Sequence, residues 1–208
     1  MDISFVSIVF TFPLFILAVM IHEVAHGWAA YKLGDSTAKD RGRISLNPFV
    51  HIDPVGTIIL PLSLVFFNSP VVFGWAKPVP INFFNLRNPK SGIILVGLAG
   101  PAANLILAFI LAVLYFLFQG THCLLFDQII FYSILANSIL ALFNLIPIPP
   151  LDGSRILFGL LPPKLAVRYI KIEKYGFILL FILLWLGFID WLINPVIQAI
   201  SGIIGIPV

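Results

Sequence analysis

Long stretches in which nearly every position is apolar alternate with short polar loops, and this alternation sets the fold class before any motif is considered. Apolar runs extend over about Ile3 to Tyr31, Gly92 to Phe118, Gln128 to Ile148 and Gly176 to Trp191, with a weaker one from Trp191 to Val208. Each is at or near the roughly 18 to 20 residues that a helix needs to cross a hydrocarbon core, where an isolated chain can satisfy its backbone only as a helix. Val55 to Phe67 is shorter and contains Pro61, so it either crosses at a tilt or enters and leaves by one side. Between the runs, Ile44 and Leu46 alternate with polar neighbours as in a short strand. Val71 to Asn82 is a second extended candidate, whose prolines admit only an edge or a turn. The pattern predicts an all-α membrane protein: a polytopic bundle of about five or six transmembrane helices with short extended or β-hairpin loop segments. It is read as one domain over residues 1–208, with core motifs within 12–161 and supporting helices over 176–208.

Composition sharpens this reading. With 60% hydrophobic and 10% charged residues, the chain fits neither a soluble domain nor a disordered one. The net charge of +3 does not indicate nucleic acid, because the basic residues lie in short loops beside apolar runs. All twelve Lys and Arg fall in three places: Lys32 to Arg43, Lys77 to Lys90, and Arg155 to Lys174. The positive-inside rule puts those loops in the cytoplasm, and the N-terminus and the loop around Thr121 outside. Basic loops flank Val55 to Phe67 on both sides, which favours re-entry of that segment. The lone Cys123 excludes an intrachain disulfide and a cysteine-based zinc site, and reads as a small apolar filler. The first run is long and lacks a basic leader, so it is expected to remain as a membrane helix.

Candidate chemistry begins at His22-Glu23-Val24-Ala25-His26. Four residues apart on a helix, His22 and His26 can present two imidazole nitrogens to one metal ion, and zinc suits that pair. Glu23 sits one step round, placed to hold a water and take its proton. The alternative is a chance HExxH, but ionisable groups deep in an apolar span are costly and usually functional. The second element is Asn144-Leu145-Ile146-Pro147-Ile148-Pro149-Pro150-Leu151-Asp152-Gly153. Its prolines stop a helix and leave carbonyls that need a protein-enclosed or watered cavity. Asp152 can supply a third zinc ligand and leave a fourth position open, or simply cap the following helix. Gly97-Leu98-Ala99-Gly100-Pro101-Ala102-Ala103-Asn104 heads a long apolar helix, where the glycines allow close packing and Asn104 either packs or turns its amide inward. Trp75, Lys77 and Val79 belong to an interfacial loop with Trp75 among headgroups, or to an edge that pairs with an extended substrate peptide. His51 and Asp53 read as a turn or helix start. Asp190 and Asn194, in the last spans, carry no recognisable chemistry.

Taken together, HEVAH, GPAAN and NLIPIPPLDG resemble the intramembrane site-2 protease family of zinc metalloproteases, and GWAKPVPIN is similar to its compact bacterial and archaeal members without a PDZ domain. The resemblance covers roughly Phe12 to Leu161. It implies that His22, His26 and Asp152 bind one Zn2+ and that Glu23 is the general base. Asn144 and Asn104 would hold substrate or the developing oxyanion. In many relatives a proline follows the asparagine sooner than Pro147 follows Asn144, which leaves the orientation of Asn144 open. The expected substrates are membrane proteins cut in or near a transmembrane segment, in the lipid bilayer of a prokaryotic cell, with the site toward the cytoplasm. A homo-oligomer is compatible with the sequence. A membrane zinc-binding transporter and a non-catalytic scaffold are the competing classes.

Overall fold

The computed structural model describes residues 5–67, 76–118 and 124–204. Among them the order is α1 (Phe5–Leu33), α2 (Thr37–Asp40), a π-helical turn (Pro54–Ile59) continuing into α3 (Leu60–Phe66), α4 (Pro89–Phe118), α5 (Leu124–Asn144), α6 (Asp152–Leu160), α7 (Pro163–Ile170), α8 (Gly176–Trp185) and α9 (Phe188–Ile204). Three helices are long and apolar enough to cross a membrane, over Pro13–Leu33, Pro89–Phe118 and Phe126–Asn144. With its apolar composition this makes the chain an all-α integral membrane protein.

The central helix is α4, which packs against α1, α5 and α6. Its buried positions include Gly92, Val96, Gly100, Asn104 and Ala108, one every four residues and mostly small. Such a stripe lets backbones approach where lipid offers no hydrophobic drive for association. On α1 the matching buried stripe is Ala18, His22, His26 and Ala30, again four apart. The two polar members of that stripe therefore point into the bundle rather than at lipid. Further along α4, Ala108 and Tyr115 pack with Ile130, Phe131 and Ile134 of α5.

Two expectations about the chain change. The run from Gly176 to Trp191 is not one span: α8 ends at Trp185, and Gly187 at φ +72° turns the chain before α9. A residue in that left-handed conformation is the usual end of a helix, and glycine adopts it without a side-chain penalty. At 1.5 Å per residue α8 rises only about 15 Å, half of a hydrocarbon core. The 13 described residues from Val55 to Phe67 rise about 20 Å by the same measure, short of a hydrocarbon core of about 30 Å.

The second change concerns the extended loops, for no strand occurs among the described residues. Trp75 lies outside them. In residues 76–82, Pro78 and Pro80 remove two backbone donors, and three of the remaining N–H groups are taken by side chains and a loop carbonyl rather than by a neighbouring strand. Lys77 N–H donates to the His51 carbonyl (2.8 Å), Val79 N–H to Glu23 Oε2 (2.7 Å) and Asn82 N–H to Asp35 Oδ2 (2.7 Å). The Arg43 guanidinium donates to the carbonyls of Lys77, Pro78 and Val50. His51 itself is buried and bonded through Nε2 to the Ser45 carbonyl, and Asp53 caps the π-helical turn by accepting from Val55 and Gly56 N–H. The segment is a strap, tied down by charged side chains of α1 and the loop that follows it.

Asp35 is the strap's far anchor. It is fully buried and accepts from Thr37 N–H and Oγ1, Asn82 N–H and Asn85 Nδ2. Burial alone would raise its pKa, but these hydrogen bonds outweigh it and hold the carboxyl below its ordinary value of 3.8. A carboxyl so held stabilises the fold above its unfolded pKa and loses that contribution as pH falls through its folded pKa. Replacing it with Asn is therefore expected to cost about 1–3 kcal/mol at neutral pH. In detergent melts from pH 7 downward, the gap between wild type and Asp35→Asn should be full at neutral pH and shrink below about pH 4; a gap that widens with acid would refute the assignment.

Candidate metal centre

Two elements bring three donor atoms to one point. His22 Nε2, His26 Nε2 and Asp152 Oδ2 lie 3.0 Å from one another, and all three side chains are buried. The imidazoles come from the inward stripe of α1. Asp152 comes from the first residue of α6, which starts directly after the proline break and packs against α4.

The protonation of the imidazoles follows from their outer partners. His22 Nδ1 is 2.6 Å from Asn104 Oδ1, whose amide nitrogen donates to the Ala18 carbonyl (3.1 Å) and to Asn137 Oδ1 (2.9 Å). His26 Nδ1 is 2.7 Å from the Val96 carbonyl. Both partners are acceptors, so each ring carries its proton on Nδ1 and turns the bare Nε2 lone pair to the shared point. A carboxylate oxygen faces the same point. Three lone pairs at 3.0 Å with no proton between them repel one another unless a cation lies among them, and zinc bonds of about 2.0 Å to tetrahedral donors set such atoms about 3.3 Å apart.

Gly100 of α4 keeps the point open. A Cβ on it would lie 2.4 Å from His26 Nε2 and 2.6 Å from His22 Nε2. The sequence suggested packing for these glycines; at Gly100 the missing side chain instead leaves room for an ion. The donors, their tautomers and this cradle fit zinc.

A cavity of about 140 Å³ adjoins the cluster, lined among others by Glu23, Val79, Asn144, Asp152 and Arg155. Glu23 is partly buried and held by the strap through Val79 N–H. Lys77 is exposed, and its N–H is occupied by the His51 carbonyl, so neither it nor Val79 presents a free donor for pairing with a peptide. Asn144 borders the cavity with its amide nitrogen on the Leu140 carbonyl (2.9 Å). Asn104 differs from expectation: it is fully buried behind His22, and its amide is spent on three protein partners, so it orients a ligand instead of reaching substrate.

Asn137 was not singled out from the sequence. Buried on α5, it accepts from Asn104 and donates to the Ser133 carbonyl, joining a third helix to His22. Its signal was an amide seven residues before Asn144, two helical turns along one face of an apolar run.

The peptidase family M50 profile matches residues 122–186. The chain is 40% identical to "Putative zinc metalloprotease YwhC" of Bacillus subtilis over 88% of its own length and 84% of the relative's. It is 31% identical to "Putative zinc metalloprotease Rip2" of Mycolicibacterium smegmatis over 81% of the chain and 64% of that protein. "Zinc metalloprotease MJ0392" of Methanocaldococcus jannaschii is 27% identical over 78% of the chain, which spans 37% of that relative. No solved structure matches significantly.

Two substitutions test the cradle and its support. Gly100→Ala places a methyl against both Nε2 atoms and should abolish stoichiometric zinc, measured by elemental analysis, while circular dichroism stays helical. Asn137→Ala should leave the fold intact and weaken zinc roughly 10- to 100-fold in a chelator competition, as loss of outer-shell support does. Unchanged zinc affinity in both would contradict the arrangement.

Proposed function

Because the chain belongs to peptidase family M50, the site-2 protease family, and is an integral membrane zinc metalloprotease, we propose that it hydrolyses peptide bonds in or near transmembrane segments of other membrane proteins. The observation that carries this reading is the convergence of His22, His26 and Asp152 beside Glu23 in one cavity, on helices that belong to the membrane domain.

In this reading His22 Nε2, His26 Nε2 and Asp152 Oδ2 hold the ion. When bound, zinc supplies Lewis-acid polarisation of a carbonyl and brings the acidity of a water near neutrality. The chain's own groups do the rest. Glu23 takes the proton from the attacking water and returns it to the leaving nitrogen. The Val79 N–H on Oε2 fixes the carboxylate's direction and leaves its other oxygen for the water. Asn104, backed by Asn137, keeps His22 in the tautomer that presents Nε2. Asn144, on the cavity wall, contacts the substrate backbone. A transmembrane helix has every backbone group bonded internally, so the scissile stretch must lose helical structure before it can enter.

The site is read as opening toward the cytoplasm of a prokaryotic cell. The three basic loops support one common side, and Val55 to Phe67, shorter than a hydrocarbon core, lets the loops on either side of it share that side. Relatives named from bacteria and an archaeon agree with the cell type. A transporter needs further ionisable stations along the bilayer. Among the described residues the buried polar chain beyond His22 consists of Asn104, Asn137 and Ser133, all hydrogen-bonded and none ionisable.

Glu23→Gln is the direct test. It should keep one zinc per chain and lose about 10²- to 10⁴-fold in cleavage rate, the usual contribution of a general base. Comparative proteomics of membranes carrying wild type or Glu23→Gln should show membrane-protein fragments only with wild type. Full cleavage by the zinc-loaded Gln form would remove Glu23 from this role.

A further inference from the structure

Peptide hydrolysis places a full negative charge on the former carbonyl oxygen, and in low dielectric such a charge needs a donor aimed at it. Of the two amides that the sequence offers, one is wholly engaged elsewhere and the other, with one hydrogen already bonded, is the group proposed above for the substrate backbone. Asn104 is sealed behind His22 with its amide hydrogens on Ala18 and Asn137, and the Asn144 amide nitrogen faces the Leu140 carbonyl. The cavity nevertheless has a cationic wall. Arg155 lines it together with Glu23 and Asp152.

Three features mark this side chain. Arg155 follows Asp152 by three residues on α6, so both project from the same face of that helix. Its Nη1 lies 4.0 Å from Asp152 Oδ1, the oxygen turned away from the imidazoles. That is beyond hydrogen-bond reach, so the ion pair orients the guanidinium without consuming its donors. On its other side the guanidinium carbon lies 5.5 Å from the centre of the Phe83 ring, just past the strap, which holds the fork by cation–π attraction. The side chain is 40% exposed, reachable by a substrate rather than sealed.

We propose that Arg155 is a further catalytic residue, whose guanidinium pairs with the oxyanion of the tetrahedral intermediate. The inference rests on the peptidase reading above. The water oxygen forms a bond to the carbonyl carbon, the C=O π pair moves onto oxygen, and one water proton passes to Glu23. The guanidinium faces the oxygen that gains the charge. Collapse restores the C=O pair and breaks the C–N bond, whose electrons go to nitrogen with the proton from Glu23. The new carboxyl group then yields its remaining proton to the amine, giving carboxylate and ammonium products. Arg suits the place because it stays charged and offers several donors from a planar fork, where Lys offers a point charge.

The test compares Arg155→Gln and Arg155→Lys with wild type, all zinc-loaded in detergent. Two peptide probes are used: a phosphonamidate, which carries a tetrahedral anion, and a ketomethylene isostere with a planar, uncharged carbonyl. The proposal expects one zinc per chain throughout and unchanged ketomethylene affinity. Phosphonamidate affinity should fall on the order of 10²-fold or more in the Gln form, with partial recovery in the Lys form and a matching loss in kcat rather than KM. Equal weakening of both probes, or loss of zinc from Arg155→Gln, would overturn it by showing that Arg155 only supports Asp152. Retention of full phosphonamidate affinity would overturn it outright. Failure of wild type to bind either probe would count against the peptidase reading itself, and with it this proposal.

Discussion

Three lone pairs must be held against one another inside a membrane domain, and most of the fold near the site answers that requirement. The imidazoles of His22 and His26 and the carboxylate of Asp152 converge at 3.0 Å, an arrangement that is repulsive in itself and becomes favourable around a cation. Holding it requires each ring proton to be drawn outward, which the Val96 carbonyl and Asn104 accomplish. It also requires an empty volume at the point of convergence. α4 supplies that at Gly100, on the same stripe of small residues that lets α1 come close.

The second constraint is on Glu23, the proposed base. A carboxylate beside three metal-directed donors has reason to swing toward the ion and become a ligand. The strap opposes this by occupying Oε2 of Glu23 with the Val79 N–H, and the strap is in turn clamped by Arg43 at one end and Asp35 at the other. Prolines at 78 and 80 make this possible. A segment that cannot form a ladder keeps its remaining donors for side chains, so the irregular stretch is a consequence of its sequence.

Much of this was legible beforehand, and the remainder was hidden for identifiable reasons. Apolar runs and the HEVAH spacing announce helices and a paired imidazole because both depend on periodicity within one segment. Asp152 could be reached because a proline break followed by a carboxylate is itself unusual in an apolar chain. The roles of Asn104, Asn137, Asp35 and Arg155 depend on which distant groups their side chains meet, and no local pattern encodes that. The break between α8 and α9 was overlooked because a single glycine barely lowers the hydropathy of a run, although its φ of +72° ends the helix. Reading the described residues 76–82 as an edge for pairing took account of their prolines but not of the charged side chains that bind their backbone.

The central claim is that one zinc ion sits between two Nε2 atoms and one carboxylate oxygen. X-ray absorption at the zinc edge on purified wild type and Asp152→Ala measures this directly. The account predicts two imidazole nitrogens in the first shell of wild type together with oxygen donors at about 2.0 Å, and loss or rearrangement of that shell when the carboxylate is removed. A shell with fewer than two imidazoles, or one unaltered by Asp152→Ala, would contradict it.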